Sequence, residues 1–183
     1  MKSYLILILL NLAFSNVSAQ DILYSATKTE FSFFSKAPLE DIEAKNIRAT
    51  SIINLSNREI VVRIPVSHFQ FSNKLMQQHF NENYMESEKY PYATFRGKIN
   101  ESVDPEKVGT YTVSANGTLN IHGVDQSRKI NGKLVVSEKG VQIETKFDVI
   151  LADHQIEIPK LVFKKIAEKI EVNAALYYAP LKK

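Results

Sequence analysis

Four histidines are the residues of this sequence best suited to bind a metal ion or move a proton. They lie at positions 68, 79, 122 and 154. No two of them have the spacing of three to five residues that places two ligands on one metal. The chain also has no cysteine, which excludes disulfides, thiolate metal sites and thiol nucleophiles. We therefore expect structural or surface histidines, no metal and no cofactor.

His122 has the most distinctive position of the four, because it ends a strand on the polar face, directly before Gly123. Its ring nitrogens could satisfy backbone groups of the turn or meet the head group of a ligand. We favour the first role, and the same two alternatives stand for His154.

The chain contains no sequence motif of a known catalytic, nucleotide-binding or calcium-binding site. There is no G-x-S-x-G elbow, Walker loop, G-x-G-x-x-G fingerprint or EF-hand spacing. The aspartates fall mostly in turns or on polar faces, where we expect them to be solvated. Thr145 is the only clearly polar side chain on the inward stripe of its strand, and a hydroxyl is a weak acid or base. We predict that the protein is not an enzyme, with an isomerase or cyclase acting on an apolar substrate as the alternative.

Period-two alternation dominates the sequence and predicts strands. Between Thr110 and His122 the odd positions are apolar or small and the even positions are polar. The dipeptide Asn116-Gly117 favours a tight hairpin in this run. A two-residue turn there would place apolar and polar residues on the same face, however, so we predict one long strand with a bend or close approach at Gly117.

The same alternation recurs along the chain and gives about eight strands. It is clear at 29–33, 60–66, 130–136, 141–149 and 170–178, and weaker at 42–54 and 92–99. Residues 73–85 instead place apolar side chains three and four positions apart, which predicts an amphipathic helix capped by Ser72 or Asn73. The predicted fold class is all-β with a short helix.

The N-terminus has the features of an export signal. Lys2 is followed by an apolar run over residues 4–14 and then by Val17-Ser18-Ala19, which suits signal peptidase. We expect cleavage near Ala19, a single domain over residues 20–183, and a periplasmic or secreted protein. The apolar run is too short to cross a bilayer.

The composition and charge of the chain indicate which classes of partner it can bind. The chain of 183 residues is 44% hydrophobic and 23% charged, with a net charge of +3. Its basic residues are interspersed with acidic ones, so we expect no nucleic-acid partner. We expect transient contact with a membrane. The sequence does not determine the oligomeric state, and a homodimer is one alternative.

Three segments carry a resemblance to a known family. Residues 75–99, LMQQHFNENYMESEKYPYATFRGKI, and residues 109–130, GTYTVSANGTLNIHGVDQSRKI, resemble the YceI-like polyisoprenoid-binding family, as does the closing segment 147–179. The resemblance implies an antiparallel, lipocalin-like β-barrel of about eight strands with a helix near one end. It also implies an apolar interior that holds a long isoprenoid lipid, which the protein would bind, carry or store in the cell envelope.

The expected ligand-binding residues are the inward apolar side chains and those of the helix at the barrel mouth. They are Phe31, Phe33, Leu75, Met76, Phe80, Phe95, Tyr111, Val113, Ala115, Leu119, Ile121, Ile143, Phe147, Val172 and Leu176.

Alternation alone leaves two alternatives to this hollow carrier. A filled core, as in a structural or stress-related envelope protein, would produce the same inward stripes. An outer-membrane barrel would reverse them, with apolar residues facing outward.

Overall fold

The structure is a computed structural model that describes residues 23–36, 41–157 and 167–181. The predicted signal peptide lies outside these residues. Within them, no helix has the length and apolar character needed to cross a membrane.

Ten strands and one short helix form within the described residues, and every strand pair is antiparallel. The strands are β1 (Leu23–Ser35), β2 (Ile42–Asn46), β3 (Thr50–Asn54), β4 (Glu59–Pro65), β5 (Gln70–Phe71), β6 (Tyr92–Ile99), β7 (Gly109–Ile121), β8 (Val124–Ser137), β9 (Gly140–Ile150) and β10 (Lys169–Pro180).

Pairing of the first strand with the last closes the sheet into a barrel. The order β10-β9-β8-β7-β6-β4-β3-β1 returns to its start through β1 and β10, which pair from Tyr24↔Pro180 to Phe34↔Glu171. Eight strands therefore form the ring, as the sequence predicts. The two remaining strands lie at one end, where β2 pairs with the second half of β1 and the short β5 pairs with β2.

The apolar stripes face the interior of the ring. On β7 the odd residues Val113 and Leu119 are buried while Thr112 and Thr118 are exposed. The unbroken strand predicted across Asn116-Gly117 is confirmed, and the orientation is the reverse of that expected for an outer-membrane barrel.

A one-residue bulge in β1 changes which positions point inward. Ala26 pairs with Tyr178, but the next paired residue is Lys28, opposite Tyr177. The bulge shifts the inward positions from even to odd, so that both Tyr24 and Phe31 are buried.

Gly117 marks a close approach of two backbones. It pairs with Gly97 on β6, and a Cβ atom on Gly117 would clash with the carbonyl oxygen of Arg96. The ring of Phe95 lies over both glycines, and its Cζ atom is 2.8 Å from the point that a Cβ on either glycine would occupy. The aromatic ring thus covers the bare backbone that the two glycines leave.

The helical segment is shorter and less regular than predicted. Helix α1 covers Lys74–His79 and continues as a π-helical turn over Phe80–Tyr84. Asn73 caps it as predicted, since its side chain accepts hydrogen bonds from the backbone amides of Leu75 and Met76. The segment lies after β5, at the end of the barrel where β7 turns into β8.

The orientation of β7 is testable by introducing a charge on each face. We expect Leu119→Asp to lower the free energy of unfolding by at least about 3 kcal/mol, because an unpaired carboxylate would lie in an apolar interior. The adjacent Thr118→Asp points outward and should change stability by less than about 0.5 kcal/mol. Urea denaturation of the two variants measures the difference, and equal midpoints would contradict the assigned faces.

Candidate functional site

A cavity of about 370 Å³ lies inside the barrel beneath the helical segment. Its walls are formed by β1, β4, β6, β7, β9 and β10 of the ring with β2 and β5, and α1 with the π-helical turn borders it at the helix end. The apolar lining residues are Phe31, Phe33, Ile42, Ile64, Val66, Phe69, Phe71, Leu75, Met76, Phe80, Met85, Ala93, Leu119, Ile121, Phe147, Val149, Leu151, Ile156, Ile170 and Val172, and the polar ones are Ser35, Asn73, His79 and Tyr84.

Four phenylalanines hold the helical segment against the barrel. The ring of Phe80 lies 5.0 to 5.7 Å, centroid to centroid, from the rings of Phe33, Phe69 and Phe71. All four side chains are partly exposed. The helical segment is therefore attached mainly by aromatic packing, with one side-chain contact added where the backbone amide of Phe71 donates to Oε1 of Gln77 at 3.3 Å.

A second, smaller cavity of about 90 Å³ continues the space toward the middle of the barrel. It shares Phe31, Ile64, Leu119 and Phe147 with the first cavity. Its other lining residues are Ile60, Val62, Thr94, Phe95, Ile99, Val113, Ser114, Ala115, Ile130, Asn131, Gly132, Ile143, Thr145, Ala174 and Leu176. The two cavities form an elongated apolar space along the barrel axis.

Beyond the inner cavity the barrel is filled. Ile53 and Leu134 are fully buried there, and the hydroxyl of Tyr178 lies 2.7 Å from Oγ of Ser51. Ser51 also donates to the carbonyl oxygen of Val61 at 2.8 Å. Burial raises the pKa of the Tyr178 phenol, so the hydroxyl stays neutral in this apolar floor. The space is therefore blind at the end opposite the helix.

The chemistry of the lining is almost wholly that of hydrocarbon. Among the described residues, no Asp, Glu, Lys or Arg lines either cavity. Ser35 accepts a hydrogen bond from the backbone amide of Ala167 at 3.0 Å, and Thr145 donates to the carbonyl oxygen of Asn131 at 2.6 Å. Both hydroxyls are therefore already engaged. Such a site can solvate an apolar chain and offers little to a charged or strongly polar molecule.

The structure brings together nearly all of the residues predicted to bind a ligand. Those of the outer cavity are Phe31, Phe33, Leu75, Met76, Phe80, Leu119, Ile121, Phe147 and Val172. Those of the inner cavity are Phe95, Val113, Ala115, Ile143 and Leu176, and Phe31, Leu119 and Phe147 line both cavities. Tyr111 lines neither cavity, because its ring packs beyond the inner cavity and its hydroxyl donates to the carbonyl oxygen of Lys107 at 2.9 Å.

Sequence reasoning missed two of the phenylalanines that hold the helical segment. Phe69 and Phe71 follow a 3₁₀ turn over Val66–His68, and β5 contains only two residues. The segment is too short for a periodic pattern, and the density of aromatic residues over positions 69–80 was the available signal.

A polar cluster ties three loops together beside the cavity. His122 lies in a tight turn with Gly123, where both residues have positive φ angles of 53° and 75°. Nε2 of His122 lies 2.8 Å from a carboxylate oxygen of Glu86, and Nδ1 lies 3.2 Å from the carbonyl oxygen of His154. One ring nitrogen of His122 thus contacts a backbone carbonyl, in the turn that holds His154 and not in its own turn, and the other contacts a side-chain carboxylate.

His154 is buried in a 3₁₀ turn over Leu151–His154. Its Nδ1 lies 3.2 Å from the carbonyl oxygen of Val124, at the start of β8. Burial lowers the pKa of the imidazole, and the nearby charge of Arg128 acts in the same direction, while the carbonyl contact and Asp153 oppose it. Among the described residues no group of three or more His, Asp and Glu side chains is arranged to hold a metal ion.

Comparison with known families gives a match over most of the chain. A model of the YceI-like domain matches residues 14–178. No curated protein matches the chain in sequence.

Several solved structures share the fold. A polyisoprenoid-binding domain from Saccharophagus degradans, implicated in plant cell wall breakdown, superposes with a TM-score of 0.75 at 17% identity, covering 87% of this chain and 99% of its own. BcnA of Burkholderia cenocepacia gives 0.67 at 15% identity, covering 82% and 96%. The YCEI protein of Campylobacter jejuni gives 0.54 at 14% identity, covering all of both chains. At these identities the likeness concerns the fold.

Buried His154 should make stability depend on pH. Because its pKa is lower in the folded protein than the usual value of about 6.5, the unfolded chain binds more protons as the pH falls below that value. Acidification from pH 7.5 to 5.5 should therefore lower the free energy of unfolding, by at most about 1.4 kcal/mol per pH unit from this residue.

His154→Gln should be less stable at pH 7.5 but show a smaller loss on acidification. The matched change His68→Gln, at an exposed position, should leave the pH dependence as it is in the unmodified protein. Urea midpoints at the two pH values provide the measurement, and an unchanged slope in His154→Gln would contradict the assignment.

Proposed function

The chain belongs to the YceI-like domain family, and on that basis we propose that it binds a long-chain isoprenoid lipid, of the polyprenyl or quinone type, and carries or stores it. The observation that carries the proposal is the elongated apolar space inside the barrel, about 370 Å³ at the helix end and about 90 Å³ beyond it. Similarity to a domain described as polyisoprenoid-binding supports the same ligand class.

The size of the cavity favours a hollow carrier over a filled core. Protein interiors are close-packed, and voids larger than a water molecule are few. The outer cavity has the volume of a small-molecule site. A pocket of this size, lined by phenylalanine and aliphatic side chains and open at the helix end, leaves apolar surface in contact with water in a structural protein, whereas a lipid chain would cover it.

The affinity would come from burial of hydrocarbon. Each CH₂ group moved from water into an apolar space is worth about 0.8 kcal/mol, so a prenyl chain needs no charged anchor within the cavity. The partly exposed rings of Phe33, Phe69, Phe71 and Phe80 would give the chain an apolar rim at the helix end.

The proposed role is non-catalytic. An isomerase or cyclase needs a general acid or base placed against the substrate. The hydroxyls of Ser35 and Thr145 within the cavity walls are engaged with backbone groups. The two other candidates, His79 and Tyr84, lie on the helical segment at the rim of the outer cavity, where His79 is exposed and burial raises the pKa of the Tyr84 phenol. We propose a periplasmic or secreted protein that exchanges its lipid during transient contact with a membrane.

Organic extraction of the purified mature protein tests the proposal directly. We expect mass spectrometry of the extract to reveal an isoprenoid in a constant ratio to protein, and native mass spectrometry to show the same mass as a bound adduct. Protein that carries no lipid, and that takes up no polyprenol from added micelles, would contradict the carrier.

Chain-length selection gives a second prediction. Ala115 is half-buried and lines the inner cavity, so the ring of Ala115→Phe would occupy space needed by the far end of a long chain. We expect binding of the longest polyprenols to fall by roughly tenfold or more, equivalent to about 1.4 kcal/mol, while chains as short as farnesol still bind.

Thr118→Phe is the matched control, since it adds the same ring to the outer face of the same strand. It should bind all lengths like the unmodified protein. If the interior were filled, Ala115→Phe would instead overpack the core and cost typically about 1–3 kcal/mol of stability. Binding curves with a series of polyprenols, together with melting temperatures, separate the two outcomes.

A further inference from the structure

The barrel wall is incompletely hydrogen-bonded between β8 and β9. Strand β8 pairs with β7 along its whole length, from Val124 to Val136. With β9 it pairs only from Gly132↔Thr145 to Ser137↔Gly140. The described residues 124–131 of β8 and 146–150 of β9 thus face each other without paired backbone groups. We refer to this stretch as the seam.

Side chains bridge the seam where backbone bonds are missing. Thr145 donates to the carbonyl oxygen of Asn131 at 2.6 Å, and Arg128 donates to the carbonyl oxygen of Asp148. Further along, Gln126 donates to the carbonyl oxygen of Asp153 at 2.6 Å. These contacts can be lost and remade by side-chain rotation, whereas a ladder must separate its strands.

The interior and exterior of the barrel approach each other at the inner end of the seam. A shallow depression of about 570 Å³ lies on the outer surface, lined mainly by β8, β9 and β10 and bordered by β1 and β7. It shares Asn131, Gly132, Thr145 and Ala174 with the inner cavity. Because Gly132 has no side chain, only its backbone separates the inner cavity from the outer depression at this point. Gly132 is also the last paired residue of β8 in the β8–β9 ladder.

Both edges of the seam line the proposed ligand space. On the β9 side Phe147 lines both cavities and Val149 lines the outer one. On the β8 side Ile130 lines the inner cavity, and the lining is confined to residues 130–132. Separation of β8 from β9 would therefore expose the inner cavity directly, and the outer cavity past Phe147 and Val149 of β9.

We propose that the seam is a lateral gate through which an isoprenoid chain enters and leaves the barrel sideways. The inference rests on the proposed function. A segment with few backbone hydrogen bonds has a low free energy of local opening, and a flexible chain that passes between two strands need not be threaded lengthwise past the four phenylalanines at the helix end.

Reversible crosslinking tests the gate, because the chain has no cysteine of its own. Asn131→Cys with Lys146→Cys places two thiols on the outer face at the first positions beyond the last pair of the ladder. Thr118→Cys with Ser127→Cys is the matched control, because these exposed residues are paired between β7 and β8. Each pair is closed with a short, reductively cleavable bismaleimide after loading with a long polyprenol, and closure is verified by mass.

The measured quantity is the rate at which bound polyprenol appears in excess phosphatidylcholine vesicles. We expect closure of the seam to slow release at least tenfold, reduction of the crosslink to restore the rate, and closure of the β7–β8 pair to leave it unchanged. Equal release rates with the seam open and closed would overturn the gate while leaving lipid binding intact. Failure of the uncrosslinked protein to bind polyprenol at all would overturn the proposed function and the gate with it.

An independent variant loosens the seam. Thr145→Val keeps the shape of the side chain but removes its hydrogen bond to Asn131, so release should become several-fold faster with the melting temperature nearly unchanged. Thr118→Val is the control, because it alters an exposed residue of β7 that is paired with Ser127 of β8 and with Arg96 of β6. A release rate that does not respond to Thr145→Val would count against the gate even if a crosslink had distorted the wall.

Discussion

Pairing of β1 with β10 is the interaction on which the rest of the molecule depends. It joins the ends of a sheet that would otherwise have two open edges, and it extends from Tyr24↔Pro180 to Phe34↔Glu171. Once the ring is closed, side chains on alternate positions of every strand share a single interior. An apolar stripe on one strand must then face the stripes of all the others. The bulge between Ala26 and Lys28 keeps this arrangement intact, because it lets β1 present inward side chains on both sides of an irregularity.

The two ends of the barrel are built in different ways. At the end opposite the helix, hydrogen bonds between buried side chains and backbone, such as those of Ser51, join strands around a filled core. At the helix end the aromatic rings around Phe80 and the polar contacts of His122 replace strand pairing. These aromatic and side-chain polar contacts are individually weak. At the helix end β8 and β9 are no longer paired, because their ladder ends at Gly132 and Thr145. Regular backbone pairing therefore decreases along the barrel axis toward the helix, and the outer cavity lies where the wall is least regular.

Much of this architecture follows from alternation, which needs only the identity of successive residues. Alternation predicts the eight strands of the ring and the close approach at Gly117, but it gives residues 42–54 as one strand where the structure has β2 and β3, and it misses β5. The spacing of three and four residues over 73–85 predicts the helix, with Asn73 as one of two candidate caps. The separation of β8 from β9 was not predictable. Gln126 and Arg128 are polar residues at positions of β8 that alternation would assign to the interior, and the sequence does not show that they bond to carbonyl groups of the turn after β9 and of β9. The burial of His154 was equally hidden, because it depends on where a 3₁₀ turn packs after β9. Alternation in the sequence shows which residues share a face of one strand. The number of residues that two strands pair depends on their relative course in space, which the sequence pattern does not show.

The filled floor around Tyr178 makes the two ends of the cavity chemically unequal. A linear molecule held along the barrel axis cannot protrude at the floor, so one terminus is sequestered and the other lies near α1. For a lipid with a polar end this imposes a direction: the hydrocarbon terminus is the buried one, since neither cavity offers charged partners. A bound lipid would accordingly present its polar terminus to the surroundings in a fixed orientation, accessible to a second protein while its chain stays shielded from water.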